Sequence, residues 1–305
     1  MNTRSLISIT DLDRSGIEAI LNDAALFAEK GIPFEFSDRA MIVASLFFEA
    51  STRTRLSFET AANRLGARVV GFDSPENTSF SQKGESLEDT IRMIDAYADL
   101  IVIRHPETSA LQIAADIATH PVINAGNGAG EHPTQTLIDL YTIKQLFGKI
   151  DGLTVAIVGD LQFGRVPHSL AQALTVFDDV KQIWVAPSQL PMPEHVRTAV
   201  EATGAHIEMT TDIQHALNTA DVVYMTRVQK ERFEDSAEYE ALKDAYILTP
   251  ELLATAKPTM KILHALPRLY ELPTAVDATP HAAYFEQAAN AVVVRAALMR
   301  SILNA

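Results

Sequence analysis

The run MIVASLFF at residues 41–48 is short and uniformly apolar, which predicts a parallel strand buried on both faces rather than a half-exposed element. Helical periodicity flanks it, at about 11–29 and at 53–65. The alternation continues through ARVVGF (67–72), a polar loop, a helix near 85–97, DLIVIR (99–104), a helix near 107–118 and PVINAG (121–126). Strands alternating with helices predict βαβ units and a parallel sheet. A long helical pattern from about residue 134, TQTLIDLYTIKQLFG, leads to a second series of apolar runs, LTVAIVGD, QIWVAP, HIEMT, DVVYMTR and MKILHALP, with helical patterns between most of them. The last pattern, near 282–303, is apolar almost all the way round and must be covered by protein. No repeat of 20–50 residues and no Gly/Ser linker interrupts the series.

The pattern describes an α/β protein of two units divided near residue 133, and a length of 305 residues, beyond the usual size of one hydrophobic core, agrees. An apolar fraction of 47%, with 21% charged residues and no low-complexity tract, excludes a disordered chain. The formal net charge of -14 argues against nucleic acid or an anionic membrane as partner and leaves small molecules. The absence of cysteine removes disulfides, thiolate nucleophiles and Cys-ligated metals, and suits a reducing compartment. Asp11 and Asp13 interrupt the start of the chain where a signal peptide needs an apolar segment, so a cytoplasmic location is expected. The stretch AANAVVVRAALM is broken by Arg295 and is too short to span a bilayer, which leaves it as a buried terminal helix.

Candidate chemistry gathers at the predicted strand ends, where open α/β sheets bind ligands. Ser51, Thr52, Arg53, Thr54 and Arg55 follow the first strand, where a helix begins. A helix N-terminus presents unpaired N–H groups and partial positive charge, so hydroxyls and an arginine there favour a phosphate dianion. Residues two apart on a helix diverge by about 200°. Arg53 is therefore the ligand-facing candidate, and Arg55 a structural one, paired with an acid such as Glu59. Further candidates are Ser79 and Lys83 in NTSFSQKGES, Arg104 and His105 in DLIVIRHP, and His132, Thr134 and Gln135 in HPTQT. Arg165 closes GDLQFGR, and Arg227, Gln229, Lys230 and Arg232 lie in YMTRVQKER. Taken singly, each is as well read as a solvated charge, a helix cap or a satisfied core histidine; their recurrence at strand ends is the signal. G-x-G-x-x-G, G-x-x-x-x-G-K-[ST], H-E-x-x-H and G-x-S-x-G are absent, so no dinucleotide, P-loop, metal or serine-hydrolase chemistry is indicated, and no cofactor is expected.

In order and spacing, S-T-R-T-R, H-P-T-Q-T, M-T-R-V-Q-K-E-R and H-A-L-P-R resemble the aspartate carbamoyltransferase catalytic-chain family, over essentially the whole chain. S-T-R-T-R is shared by carbamoyltransferases generally, whereas V-G-D-L-x-x-G-R-x-x-H-S with M-T-R-V-Q-K-E-R is similar to the aspartate branch. The ornithine branch typically carries H-C-L-P, and this chain has no cysteine. The resemblance implies two α/β domains, 1–133 for carbamoyl phosphate, completed by a C-terminal helix at 286–305 that packs back on it, and 134–285 for aspartate. It implies attack of the aspartate amine on carbamoyl phosphate, giving N-carbamoyl-aspartate and phosphate, the committed step of pyrimidine synthesis. By resemblance Ser51, Thr52, Arg53 and Thr54 hold the phosphate; Thr54, Arg104 and His132 surround the carbamoyl oxygen; Gln135 contacts the carbamoyl amide. Arg165 takes the α-carboxylate of aspartate, and Arg227 with Gln229 the side-chain carboxylate. The Leu266 carbonyl accepts the amine's proton, beside a cis bond to Pro267. Ser79 and Lys83 reach a neighbouring subunit's site, so the resemblance implies a homotrimer, with domain closure after carbamoyl phosphate binds and a regulatory chain left open.

Three positions depart from the common bacterial pattern: Ala265 where a first proline is usual, Gln82 where a second lysine is frequent, and Tyr270 where an acid is common. They bear on closure and coupling rather than on the chemistry. FEDSAEY carries an extra residue, which loosens the correspondence over 233–239. The alternatives are a carbamoyltransferase for another amino acid, such as ornithine, and a non-catalytic carbamoyltransferase-like subunit. Retention of Arg53, Lys83, Arg104, His132, Arg165 and Arg227 together argues against the second.

Overall fold

The computed structural model describes residues 5–228, 236–242 and 245–305. The chain divides into two compact units, Met1–Tyr141 with Asn290–Ala305, and Thr142–Ala289.

The first unit holds a parallel four-stranded sheet in the order β2-β1-β3-β4. Its strands are β1 (Ile42–Phe47), β2 (Arg68–Phe72), β3 (Leu100–His105) and β4 (Val122–Asn127). The central strands β1 and β3 are buried nearly throughout, as uniform apolar runs require, whereas β2 is an exposed edge. Helices α1 (Arg14–Lys30), α2 (Thr52–Arg64), α3 (Ser79–Lys83), α4 (Leu87–Asp95) and α5 (Ala110–Ile117) alternate with the strands. The segment read as a polar loop thus contains the short α3, ended by Gly84 at φ +70. Five residues are too few to leave a helical period in the sequence. One apolar cluster joins Ala44, Leu46, Ile101 and Ile103 to Ile91, Leu111 and Ala114.

α6 (Pro133–Phe147) begins in the first unit and ends in the second, whose parallel sheet runs β7-β6-β5-β8-β9. These strands are β5 (Thr154–Val158), β6 (Lys181–Val185), β7 (His206–Thr210), β8 (Val222–Met225) and β9 (Lys261–Leu263). α7 (Arg165–Ala173), α8 (Glu194–Glu201), α9 (Ile213–Thr219), α10 (Ser236–Leu242) and α11 (Pro250–Leu253) accompany them. The final helix α12 (Tyr284–Leu303) contributes residues 290–303 to the first unit. There Arg300 pairs with Glu35 at 2.6 Å and Asp23 at 3.0 Å, which docks the helix on the N-terminal part of the chain. No helix among the described residues is long and apolar enough to cross a membrane.

Candidate active site

Strand order decides where each unit can bind a ligand. In the first sheet β1 lies between β2 and β3, so successive connections leave it in opposite directions and open a crevice at the carboxyl ends of β1 and β3. Ser51–Thr54 follow β1, and Arg104 lies near the end of β3, paired in register with Phe47. The amide of Phe48 donates to the Arg104 carbonyl at 2.9 Å and fixes this juxtaposition. Ser51 occupies the N-cap of α2 in an extended conformation, yet its hydroxyl makes no capping bond and the first turn carries no acid. The positive helix end thus has neither an N-cap side-chain bond nor a first-turn acid of its own, a setting that suits an anion. Thr54 is buried, whereas Arg53 is exposed at residue level although desolvation holds the pKa of its guanidinium below the ordinary arginine value. Arg55 points elsewhere, to Glu59 at 2.8 Å and Asp73 at 2.7 Å.

Beneath this turn lies a charge whose partners the sequence did not reveal. Arg295 of α12 is only 2% exposed, although a buried charge is tolerated only when paired. Its Nη1 donates to Ser57 Oγ and reaches the Thr54 carbonyl at 3.4 Å, and its guanidinium lies 4.6 Å from the Phe58 ring centroid. Ser57 Oγ in turn bonds the carbonyls of Arg53 and Thr54. The first turn of α2 is therefore held from its carbonyl side. Burial, then the neighbouring Arg104 charge, lowers the pKa of Arg295 to about 9, while Asp139 acts in the opposite sense. Arg104 is itself paired with Glu49, which lies between β1 and Ser51 and was not among the sequence candidates.

His132 precedes α6 and is buried; its carbonyl accepts from the amides of Gln135 at 3.0 Å and Thr136 at 3.2 Å. Gln135 donates to the buried Asp139 at 2.8 Å. Both follow β4, the neighbour of β3. Ser79 and Lys83 are exposed at the two ends of α3. Phe80 anchors that helix edge-on against Phe48, 5.1 Å between ring centroids, and against His105 at 6.4 Å. His105 is a satisfied core histidine: its Nδ1 accepts from the Glu107 amide at 3.0 Å, and burial lowers its pKa.

In the second sheet the direction reverses between β5 and β8. Arg165 opens α7 on the connection that leaves β5, and Arg227 follows β8. The two strand ends are drawn together where the Thr226 amide donates to the Val158 carbonyl at 2.8 Å. Gly159, at φ +120, is required there, because a Cβ would lie 2.3 Å from the Thr226 carbonyl oxygen. Gln229, Lys230 and Arg232 lie outside the described residues.

Leu266 and Pro267 follow β9, and the bond between them is cis. The His264 ring sits inside this loop, where its Nδ1 accepts from the Leu266 amide at 2.7 Å and its Nε2 lies 3.0 Å from Glu271 Oε1. Glu271 also accepts from the Leu269 amide at 3.0 Å. Burial opposes ionisation of Glu271, but the bonds from His264 and Leu269 outweigh it and hold its pKa below the usual value. Both residues are 4% exposed. The motif H-A-L-P-R drew attention to Leu266 and Pro267 but not to this pair, because nothing in spacing alone joins His264 to Glu271.

Comparison with known proteins agrees with this layout. Residues 4–145 match the carbamoyl-P binding domain of the aspartate/ornithine carbamoyltransferases, and residues 151–302 match their Asp/Orn binding domain. The chain is 49% identical to an aspartate carbamoyltransferase catalytic subunit of Aliivibrio fischeri, covering 99% of this chain and 97% of that one. It is 50% identical to the corresponding subunit of Thermococcus gammatolerans, covering 98% and 97%. Among solved structures, aspartate transcarbamoylase from Trypanosoma cruzi in complex with carbamoyl phosphate and aspartate superposes with a TM-score of 0.92 at 39% identity, covering 97% and 96%.

Proposed function

The chain belongs to the aspartate/ornithine carbamoyltransferase family, and from that premise we propose how its residues transfer a carbamoyl group from carbamoyl phosphate to L-aspartate, a reaction of pyrimidine biosynthesis. The phosphate of the donor sits on the N-terminus of α2, taken by Ser51, Thr52, Arg53 and Thr54. Thr54, Arg104 and His132 surround the carbamoyl oxygen, and Gln135 holds the carbamoyl amide. The aspartate amine attacks the carbonyl carbon, and the negative charge gathers on that oxygen. Each preorganised donor there contributes roughly 3 kcal/mol to the rate. The C–O bond to phosphate then breaks; the amine's proton, accepted in a hydrogen bond by the Leu266 carbonyl beside Pro267, passes on to the departing phosphate.

Arg165 takes the α-carboxylate of aspartate, and Arg227 with Gln229 takes the β-carboxylate, since a planar guanidinium matches a carboxylate through two parallel bonds. Ser79 and Lys83, exposed on an anchored helix, serve the site of a neighbouring copy in a homotrimer. The catalytic-subunit relatives leave room for regulatory chains as well.

The observation that carries the reading is the first sheet's crevice, where an uncapped, acid-free helix end faces Arg104 on the adjacent strand. A steady-state assay with carbamoyl phosphate tests it, with aspartate and ornithine offered separately and both phosphate and carbamoylated product followed. Turnover with aspartate alone is expected. Carbamoyl phosphate binding without turnover of either amino acid would remove the Arg165 and Arg227 assignment.

A further inference from the structure

The loop after β9 has to present a backbone carbonyl, and a backbone group is positioned only by what holds its own chain. Leu266 has φ +58, in the left-handed region that a leucine seldom enters unless its surroundings impose it. The imposed contact is the hydrogen bond from its amide to His264 Nδ1 at 2.7 Å. An amide can only donate, so Nδ1 must be the bare nitrogen of the ring, and Nε2 carries the proton that goes to Glu271 Oε1 at 3.0 Å. The same carboxylate oxygen receives the Leu269 amide at 3.0 Å, so one acid braces both flanks of the turn. The base of the loop is fixed as well, by the His264 amide donating to Gln287 Oε1 at 2.8 Å and the Leu248 amide donating to the Glu271 carbonyl at 3.0 Å.

We propose that His264 and Glu271 form a buried positioning dyad, in which Glu271 fixes the His264 tautomer and His264 Nδ1 fixes the Leu266 backbone so that its carbonyl meets the attacking amine. Neither residue touches the substrate; they act through Leu266. The role assigned to that carbonyl rests on the function proposed above, whereas the dyad itself rests on the hydrogen bonds alone.

Two substitutions separate the nitrogens. His264→Asn keeps an acceptor near the position of Nδ1 and loses the contact of Nε2. His264→Gln keeps a polar group near the position of Nε2 and loses the acceptor for Leu266. Both remove the ring, so both disturb packing to a similar extent. The expected result is a kcat about tenfold or more lower in His264→Gln than in His264→Asn, with similar melting temperatures, because a small misplacement of a reacting contact is costly. Equal losses in both variants, or none in either, would overturn the dyad as a positioning device. Nitrogen-15 NMR of the histidine-labelled full chain, with the His264 signal assigned by its loss in His264→Asn, reads the tautomer without reference to activity. A bare Nδ1 with protonated Nε2 is expected, and a protonated Nδ1 refutes the arrangement. A wild-type protein that binds but does not turn over substrate would defeat the functional reading while leaving the tautomer result to decide the dyad.

Discussion

The N-terminus of α2 and the loop after β9 are both assigned to present backbone groups to the reactants, and they do it by opposite means. At α2 the donors are the free amides of a regular helix, aimed by helix geometry itself and held from behind by Ser57 and Arg295. At residues 264–271 no regular element aims the carbonyl, so buried side chains, His264 and Glu271, take the place of a helix ladder. The helix end takes its aim from thirteen residues of shared geometry, with Ser57 and Arg295 bracing it from behind. The loop depends on individual hydrogen bonds, each of which is a point of failure.

The largest effect is expected at the helix end. Arg53→Ala should lower kcat/KM for carbamoyl phosphate by about a hundredfold or more, roughly 3 kcal/mol, with the unfolding transition unchanged. Phosphate titration by calorimetry checks it, and an undiminished affinity would end the helix-terminus argument. Arg295→Met comes next. It takes away the cation whose charge offsets that of Asp139 and releases the Ser57 hydroxyl, and loss of one partner from a buried charged network costs about 3 kcal/mol. A lowered denaturant midpoint with a raised KM for carbamoyl phosphate is expected; an unchanged midpoint would show that the guanidinium does not hold the turn.

The two regions also differ in how far they could be read in advance. The strands, their parallel order and the candidate ligands at their ends followed from apolar runs alternating with helical periods, because parallel strands buried on both faces leave that trace. Ser51–Thr54 were visible for the same reason, as polar residues crowded where a strand gives way to a helix. Arg295 was visible only as an interruption in an apolar helix; its partners, Ser57 and Thr54, lie more than two hundred residues away in the chain. Glu49 and Asp139 carry no periodic signature, and α3 is too short to have one. The His264–Glu271 pair lies within eight residues and still escaped notice, since its meaning depends on a turn that only the folded backbone shows.

In the second unit, Arg227→Ala should raise the KM for aspartate by about thirtyfold, roughly 2 kcal/mol for one charge-assisted contact, and leave carbamoyl phosphate binding in place. An equal loss for both substrates would mean that Arg227 supports the fold rather than a carboxylate. A smaller effect is expected from acid. The Arg268 guanidinium, with the Tyr284 hydroxyl, holds the Asp277 carboxyl down to about 2 from 3.8. A depressed carboxylate stabilises the fold above its unfolded value, near pH 4, and that contribution fades as pH falls through about 2. Because the Asp277 side chain is 34% exposed, solvent screening limits the gain to about 1 kcal/mol. Denaturant unfolding followed from pH 6 to pH 2 should show Asp277→Asn converging on the wild type at the acid end; a gap of constant size would remove the assignment.

The smallest effect provides the sharpest contrast within the helix end itself. Arg55 lies two positions from Arg53, about 200° round the helix, and is spent on Glu59 and Asp73. The bond to Glu59, helped by the neighbouring acids, raises its pKa, so it remains charged and engaged across the working range. Its side chain is nevertheless 33% exposed, and ion pairs in that setting contribute about 0–1 kcal/mol. Arg55→Ala should therefore shift stability by less than about 1 kcal/mol and leave kcat/KM within about twofold of the wild type. Measured beside Arg53→Ala, it asks whether the helix end works by aimed geometry or by the mere density of positive charge. Comparable damage from both substitutions would favour charge density, because a diffuse field has no reason to distinguish opposite faces of one helix.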